Sequence, residues 1–281
     1  MSQIPTVLSA CGVSMPALVY GTAWKQERTA AMVEQALRAG FRGIDTACQP
    51  KHYHEAGAGS GLAAWIAQGG SRDQVYLQTK FTPLDGQDPK RLPYDPKVRL
   101  SDQVRQSVQT SLANLQTARL DGLVLHSPLP TRDLLMEVWS ALESRVADGN
   151  TLQLGISNCY APSELEFLYH HARIKPAVVQ NRFYAATGYD REIRAFCREH
   201  GIVYQSFWTL TANQWLLHHP DLAQLAETHR RSPAQILFRF LTQSGVVPLT
   251  GTTSPDHMKE DLEIFEFQLS TDEVARLDRL L

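Results

Sequence analysis

Residues 41–61, FRGIDTACQPKHYHEAGAGSG, decide how the chain is read. Phe41 to Ile44 follow Gly40 as a short, mostly apolar run, the pattern of a buried strand, and the run ends on a carboxylate, Asp45. A carboxylate closing a buried strand is costly unless it is paired. Three later strand candidates end on polar groups too: VYLQTK on Lys80, LDGLVLH on His126, and LQLGIS on Ser157 with Asn158 after it. Polar residues at four successive strand ends imply one shared site.

Working outward, TVLSACGVSMPALVYGTAWK holds two short apolar segments around Cys11 and Gly12, which predicts a hairpin leading into a first strand at 17–20. Gly21, Thr22 and Trp24 occupy that strand's exit. Met32, Val33, Ala36 and Leu37 give residues 27–39 a helical period that Gly40 closes, so strand, helix and strand form a βαβ unit. The unit recurs. Further strands are predicted at 75–79, 120–125, 152–156, 177–180, 202–206 and 246–249. The intervening helices fall at 61–68, 101–115, 131–148, 162–171, 189–199, 232–243 and 255–265. Eight short strands alternating with amphipathic helices predict an α/β fold with a parallel sheet closed as a (β/α)8 TIM barrel, preceded by the short β-hairpin, in one domain over 1–281. Functional residues of such barrels lie at the C-terminal strand ends, where these polar residues fall. Residues 84–97 and 211–220 are long connections on that same face and are expected to act as lids or pocket walls.

With 281 residues, 43% of them hydrophobic, the chain can bury a large core. A net charge of -2 and no Lys/Arg run argue against nucleic acid or an anionic membrane as a primary partner. No stretch approaches the ~20 apolar residues of a membrane-spanning helix, and the N-terminus carries no basic leader with a long apolar run, so a cytoplasmic location is expected. Cys11, Cys48, Cys159 and Cys197 lie far apart without metal-ligand spacing and read as free thiols. The His52/His54, His170-His171 and His218-His219 pairs also lack partners at ligand spacing, so no metal is expected. Gly57, Gly59 and Gly61 have no strand directly before them, which speaks against a dinucleotide fingerprint.

Asp45, Lys80 and His126 at consecutive strand ends, with Tyr53 nearby, resemble the aldo-keto reductase family. The matching pieces are GTAW, FRGIDTA followed by Tyr53 and Glu55, LQTKF, LDGLVLHSP, LGISN, PAVVQ and VVPLTGTTSPDHMKED, in the family's order along nearly the whole chain. The resemblance implies a monomeric enzyme that reduces a small carbonyl substrate, an aldehyde or ketone, with NADPH, NADH being possible. It makes Asp45, Tyr53, Lys80 and His126 the catalytic tetrad. A phenol of pKa ~10 is a reluctant acid at neutral pH. Lys80 is expected to lower the Tyr53 pKa, Asp45 to keep Lys80 charged, and His126 to orient the substrate oxygen or relay the proton. One departure stands out. The family's tyrosine usually follows the Asp by five positions, whereas Tyr53 follows Asp45 by eight. The surplus falls within CQPKH and is expected to loop out, since no other tyrosine lies between Asp45 and Val75.

For the cofactor, the resemblance implies contacts from Thr22 and Asp45, and from Ser157, Asn158 and Gln180 to the nicotinamide carboxamide. Phe207 would stack on the ring, or Trp208 if the frame slips by one. Thr250, Gly251, Thr252 and Thr253 lead to a helix with Ser254 as N-cap and Pro255 at its first position, a setting that favours a phosphate. His257 and Asp261 complete the adenosine end. Relatives selective for NADPH grip the 2′-phosphate with a Lys and an Arg. Leu249 to Gly251 and His257 stand at those places here, so a modest, pH-dependent preference for NADPH is expected, with Lys259 as the other candidate cation. Trp24 and His126 would line the substrate pocket. That pocket is expected to be open, since the chain ends at Leu281 soon after its last core helix. Cys48 and Cys159 are expected on the cofactor rim. Two other readings remain at this point: a cofactor-binding, catalytically slow regulatory or scaffold barrel, and a phosphate-handling aldolase or isomerase barrel using Lys80 as a Schiff-base amine.

Overall fold

The computed structural model describes residues 4–281. An antiparallel pair, β1 (Thr6–Leu8) and β2 (Ser14–Pro16), places Val7 opposite Met15, and Gly12 at φ +78° makes the turn between them. Eight parallel strands follow: β3 (Val19–Gly21), β4 (Gly43–Asp45), β5 (Tyr76–Phe81), β6 (Gly122–Leu125), β7 (Leu154–Ser157), β8 (Val178–Arg182), β9 (Val203–Phe207) and β10 (Val246–Thr250). They pair in sequence order, and β10 returns to β3 to close the barrel. The helices are α1 (Thr29–Ala39), α2 (Glu55–Ile66), α3 (Leu100–Asn114), α4 (Arg132–Ala147), α5 (Pro162–His171), α6 (Arg191–Glu199), α7 (Gln214–Leu217), α8 (Pro220–His229), α9 (Pro233–Gln243), α10 (Pro255–Leu262) and α11 (Thr271–Asp278). Among the described residues, no helix is long and apolar enough to cross a membrane.

Side chains alternate along each strand. On β5, Leu77 and Phe81 join the large core between strands and helices, which also holds Trp139, Phe238 and Phe240. Tyr76 points the other way, into a smaller cluster inside the barrel with Met15, Val19, Val178, Val203, Val247 and Leu249. Met15 belongs to the hairpin, so β1 and β2 plug the N-terminal end and leave the opposite end as the mouth. The polar strand ends Asp45 and Ser157 both open toward that mouth.

Four helices depart from the reading of the sequence: α2 in its start, and α7, α8 and α11 in being present at all, α7 lying within the 211–220 connection. α2 begins at Glu55 rather than near Gly61, because its glycines serve packing: a Cβ at Gly59 would collide with the Asn114 carbonyl, and one at Gly61 with the Ala30 carbonyl. Glycine lowers helix propensity, which hides the first turn, yet it lets α2 approach α1 and α3 closely. α8 starts at Pro220 behind the His219 cap, at the end of the segment taken as loop, and α11 starts behind a capping box between Ser270 and Glu273. Both signals stand in the sequence.

Candidate active site

Asp45 and Lys80 meet inside the barrel mouth. β4 and β5 are neighbours, and the Lys80 Nζ lies 2.6 Å from Asp45 Oδ2 and 2.9 Å from the Thr46 carbonyl. The two residues are 2% and 1% exposed, so this is a buried ion pair. The other carboxylate oxygen, Oδ1, accepts from Gln78 Nε2 at 2.7 Å and Gln180 Nε2 at 2.9 Å. Thr22, itself buried, donates through its amide and its hydroxyl to the Asp45 carbonyl, both at 3.0 Å. The structure thus makes Thr22 a backbone anchor for Asp45.

Tyr53 reaches the site despite the longer spacing. The surplus residues bulge out as a turn, with Lys51 exposed on it. The amides of His52 and Tyr53 both bond to the Gln49 carbonyl, at 3.2 and 3.0 Å, so the extra length is taken up in one turn. Gln49 is buried and donates to the Gly86 carbonyl, while His52 stacks on Trp24 at 4.1 Å between ring centroids. These contacts tie the turn to the 84–97 connection on one side and to the β3 exit on the other. Trp24, at φ +63° and 57% exposed, forms part of the rim. The Tyr53 ring lies 6.0 Å from the His126 ring, edge-on, and 5.2 Å from Lys80 Nζ.

The electrostatics correct one expectation. Burial, and then the Asp45 charge, push the Tyr53 phenol up rather than down. Lys80, 5.2 Å from the ring, is paired with Asp45 and does not offset that rise. Lys80 is itself lowered by burial, with the Asp45 charge opposing that shift. His126 is held well below the usual histidine range by burial, then by the Lys80 charge. Thr82 Oγ1 sits 2.6 Å from His126 Nδ1, which leaves Nε2 as the ring nitrogen available to a ligand.

At the nicotinamide end, Ser157 Oγ donates to the Gln180 carbonyl at 2.6 Å, and Asn158, at φ +53°, donates to the His126 carbonyl at 2.8 Å. Gln180 spends both N–H groups on Asp45 and Gln205, so its Oε1 is the atom left for a ligand. Gln205 and Phe207 share a face of β9, which turns Phe207 toward the mouth. Trp208 reverses direction at φ +56° and carries the Arg182 guanidinium 4.2 Å above its ring. Phe207 is therefore better placed to meet a ring held over the barrel.

Beyond β10, Ser254 caps α10 and Pro255 follows, as the sequence predicts. Thr252 Oγ1 accepts from the Ser254 amide at 3.1 Å, and Gly251 and Thr253 are exposed. Thr250 and Asp261 differ from expectation. Both are buried and bonded to each other at 2.7 Å, so Asp261 holds the loop from behind instead of reaching an adenine. Burial pushes its carboxyl up to about 6. His257 is exposed, and Lys259, with a side chain 79% exposed, lies 3.8 Å from Glu263. The cation that meets this loop is Lys25, which sequence reading passed over: only 3% exposed, it donates to the Gly251 carbonyl at 2.8 Å. Among the described residues no carboxylate is paired with it. Thr82, Gln78 and Gln205 were also passed over, although Gln78 sits two places before Lys80, on the same strand face.

The cysteine expectation fails. Cys48 and Cys159 are 2% and 0% exposed, and Cys48 Sγ turns away from the mouth to the Ser107 carbonyl on α3. Burial pushes the Cys159 thiol up to about 12. Only Cys11 is exposed. Brief alkylation of the native protein should label one thiol, Cys11, with or without a dinucleotide; mass spectrometry showing Cys48 or Cys159 modified at a comparable rate would contradict the structure.

Comparison with known proteins agrees with this arrangement. The sequence model of the aldo/keto reductase family matches residues 17–281. The uncharacterized oxidoreductase YtbE of Bacillus subtilis is 31% identical over 272 residues, covering 96% of this chain and 90% of YtbE. A glyoxal reductase of the same organism is 30% identical over 248 residues, covering 88% of this chain and 82% of that protein. The crystal structure of an aldo/keto reductase from Brucella melitensis superposes with a TM-score of 0.84 at 28% identity, covering 99% of this chain and all of that one. With its closed barrel and a family match running from the first barrel strand to the last residue, the chain belongs to the aldo/keto reductase family.

Proposed function

We propose that this protein reduces aldehydes or ketones to alcohols with NADPH, Tyr53 being the proton donor. The observation that carries this is the convergence of Tyr53, His126 and the buried Asp45–Lys80 pair at the barrel mouth. Bound NADPH would supply a hydride to the carbonyl carbon. The chain's own residues must then hold the carbonyl oxygen and deliver a proton to it. Neutral His126 can present Nε2 to that oxygen, with Thr82 fixing the ring through Nδ1. Tyr53 stays protonated until negative charge develops on the oxygen, and the nearby Lys80 ammonium then stabilises the phenolate. The turn at Gln49 brings the displaced Tyr53 beside His126, which favours the reductase over a catalytically slow scaffold barrel. Because the glyoxal reductase is named for a small dicarbonyl, glyoxal-type aldehydes are the first substrates to try. NADPH-dependent turnover of a panel of aldehydes, diketones and sugars tests the reading; binding without turnover would return the scaffold.

The residues fit a dinucleotide. Gln180 Oε1 and Phe207 suit the nicotinamide, while Lys25 and the Ser254-capped end of α10 suit a phosphate. Lys25 is lowered to about 8 by burial, then by the Arg28 charge, so it is an ammonium below that pH and loses its charge above it. NADPH binding should therefore weaken between pH 7 and 9, a window set by Lys25. A Lys25→Met variant should bind NADPH about tenfold more weakly at pH 7, the worth of one charge-assisted bond, and lose that pH dependence. Fluorescence titration decides; an unchanged dissociation constant would place the phosphate elsewhere.

A further inference from the structure

Below the Asp45–Lys80 pair, the barrel interior holds a continuous column of polar side chains. Ser9, on the hairpin that plugs the barrel, donates to Gln153 Oε1 at 2.7 Å. Gln153 Nε2 donates to the Tyr76 hydroxyl at 3.0 Å, and Tyr76 donates to Gln78 Oε1 at 2.8 Å. Gln78 Nε2 ends the column on Asp45 Oδ1 at 2.7 Å. Gln205 braces it from β9: its Oε1 accepts from Gln78 and Gln180, both at 2.9 Å, and its Nε2 donates to Gln78 Oε1 at 3.3 Å. Every one of these residues is at most 5% exposed.

The direction of the bonds matters. Each donor in turn points toward the carboxylate, from hairpin to mouth, so the link dipoles align on an anion and reinforce one another. An amide can present either its N–H or its C=O, and only the N–H suits Asp45. Two donors on Gln78 Oε1, from Tyr76 and Gln205, hold the amide the right way round. Gln205 Oε1 does the same for Gln180 by occupying its second N–H. A buried polar network is tolerable only when its members are satisfied, and all four hydrogen-bonding positions of the Gln78 amide are used here.

Resting on the reductase reading above, we propose that Gln78 and Gln205, oriented from below by Tyr76, Gln153 and Ser9, are positioning residues of the reaction. They set the Asp45 carboxylate so that Oδ2 meets Lys80, and they leave Gln180 Oε1 facing the nicotinamide. The plug of the barrel is thereby coupled to the catalytic pair at its mouth.

A double-mutant cycle on kcat tests this. Tyr76→Phe, which removes one donor and keeps the shape, should lower kcat about fivefold, and Gln78→Met about thirtyfold. NADPH dissociation constants should stay within about threefold of wild type. If Tyr76 acts through Gln78, the double variant is no slower than Gln78→Met alone. A loss of packing alone would lower thermal stability and let the two effects multiply, which would overturn the proposal, as would a wild-type kcat in Gln78→Met. Should Gln78→Met fail to fold, Ser9→Ala and Tyr76→Phe carry the same test: losses of about twofold and fivefold that do not multiply support the column, and losses that multiply refute it. Wild-type turnover is the separate test of the reductase reading, whereas the variant ratios bear only on the column.

Discussion

Replacing Tyr53 by Phe should lower kcat for carbonyl reduction on the order of a thousandfold while NADPH binds as tightly as before. The ring would keep its edge contact with His126 and its place 5.2 Å from Lys80, so only the proton is lost. Lys80 is committed to Asp45 and the Thr46 carbonyl, and His126 is held neutral. The sign of the shifts also fixes the pH response. A phenol pushed up keeps its proton, and a histidine pushed down stays neutral, across about pH 6 to 8, where an ordinary histidine would titrate. With cofactor saturating, wild-type kcat should therefore be nearly flat over that range. Near wild-type turnover in Tyr53→Phe, or a steep histidine-like limb in the wild-type profile, would remove Tyr53 as the acid.

Much of this site was legible in the sequence because strand ends are local. Asp45, Lys80, His126 and Ser157 each close a short apolar run, and the parallel barrel that those runs dictate must bring their ends to one rim. Pairing within the rim was less legible, since it depends on which neighbours compete for a group. Lys80 was expected to act on Tyr53, but the geometry gives its charge to Asp45, and the phenol shifts the other way. The turn of 49–53 could not be read from spacing because one carbonyl, that of Gln49, accepts two amides. Lys25 was missed for a related reason. Its partner lies far along the chain at Gly251, and although a closed barrel sets the last strand beside the first, strand order does not say which loop carbonyl a lysine beyond the first strand will meet.

Replacing Lys80 by Met should affect rate and stability together. The substitution keeps most of the side-chain length but leaves Asp45 as a buried carboxylate facing only neutral donors, Gln78 and Gln180. Breaking a buried ion pair from one side costs about 3–5 kcal/mol, which for a chain of this size lowers the melting temperature by on the order of 10 °C. The rate should fall at least a hundredfold, because the phenolate left by Tyr53 loses the one cation near its ring. A second substitution separates the two effects. In Asp45→Asn/Lys80→Met neither charge of the pair remains, and Gln78 and Gln180 can still bond to the new side-chain carbonyl, so much of the lost stability should return. Activity should not, since neither the ammonium nor its counter-ion is present to stabilise the phenolate. Thermal unfolding and single-turnover rates on the wild type and the two variants decide the matter. If Lys80→Met melts like wild type, Asp45 does not depend on Lys80 for its charge. If the double variant regains rate as well as stability, the pair serves only to hold the barrel mouth together and the proton must be delivered by another route.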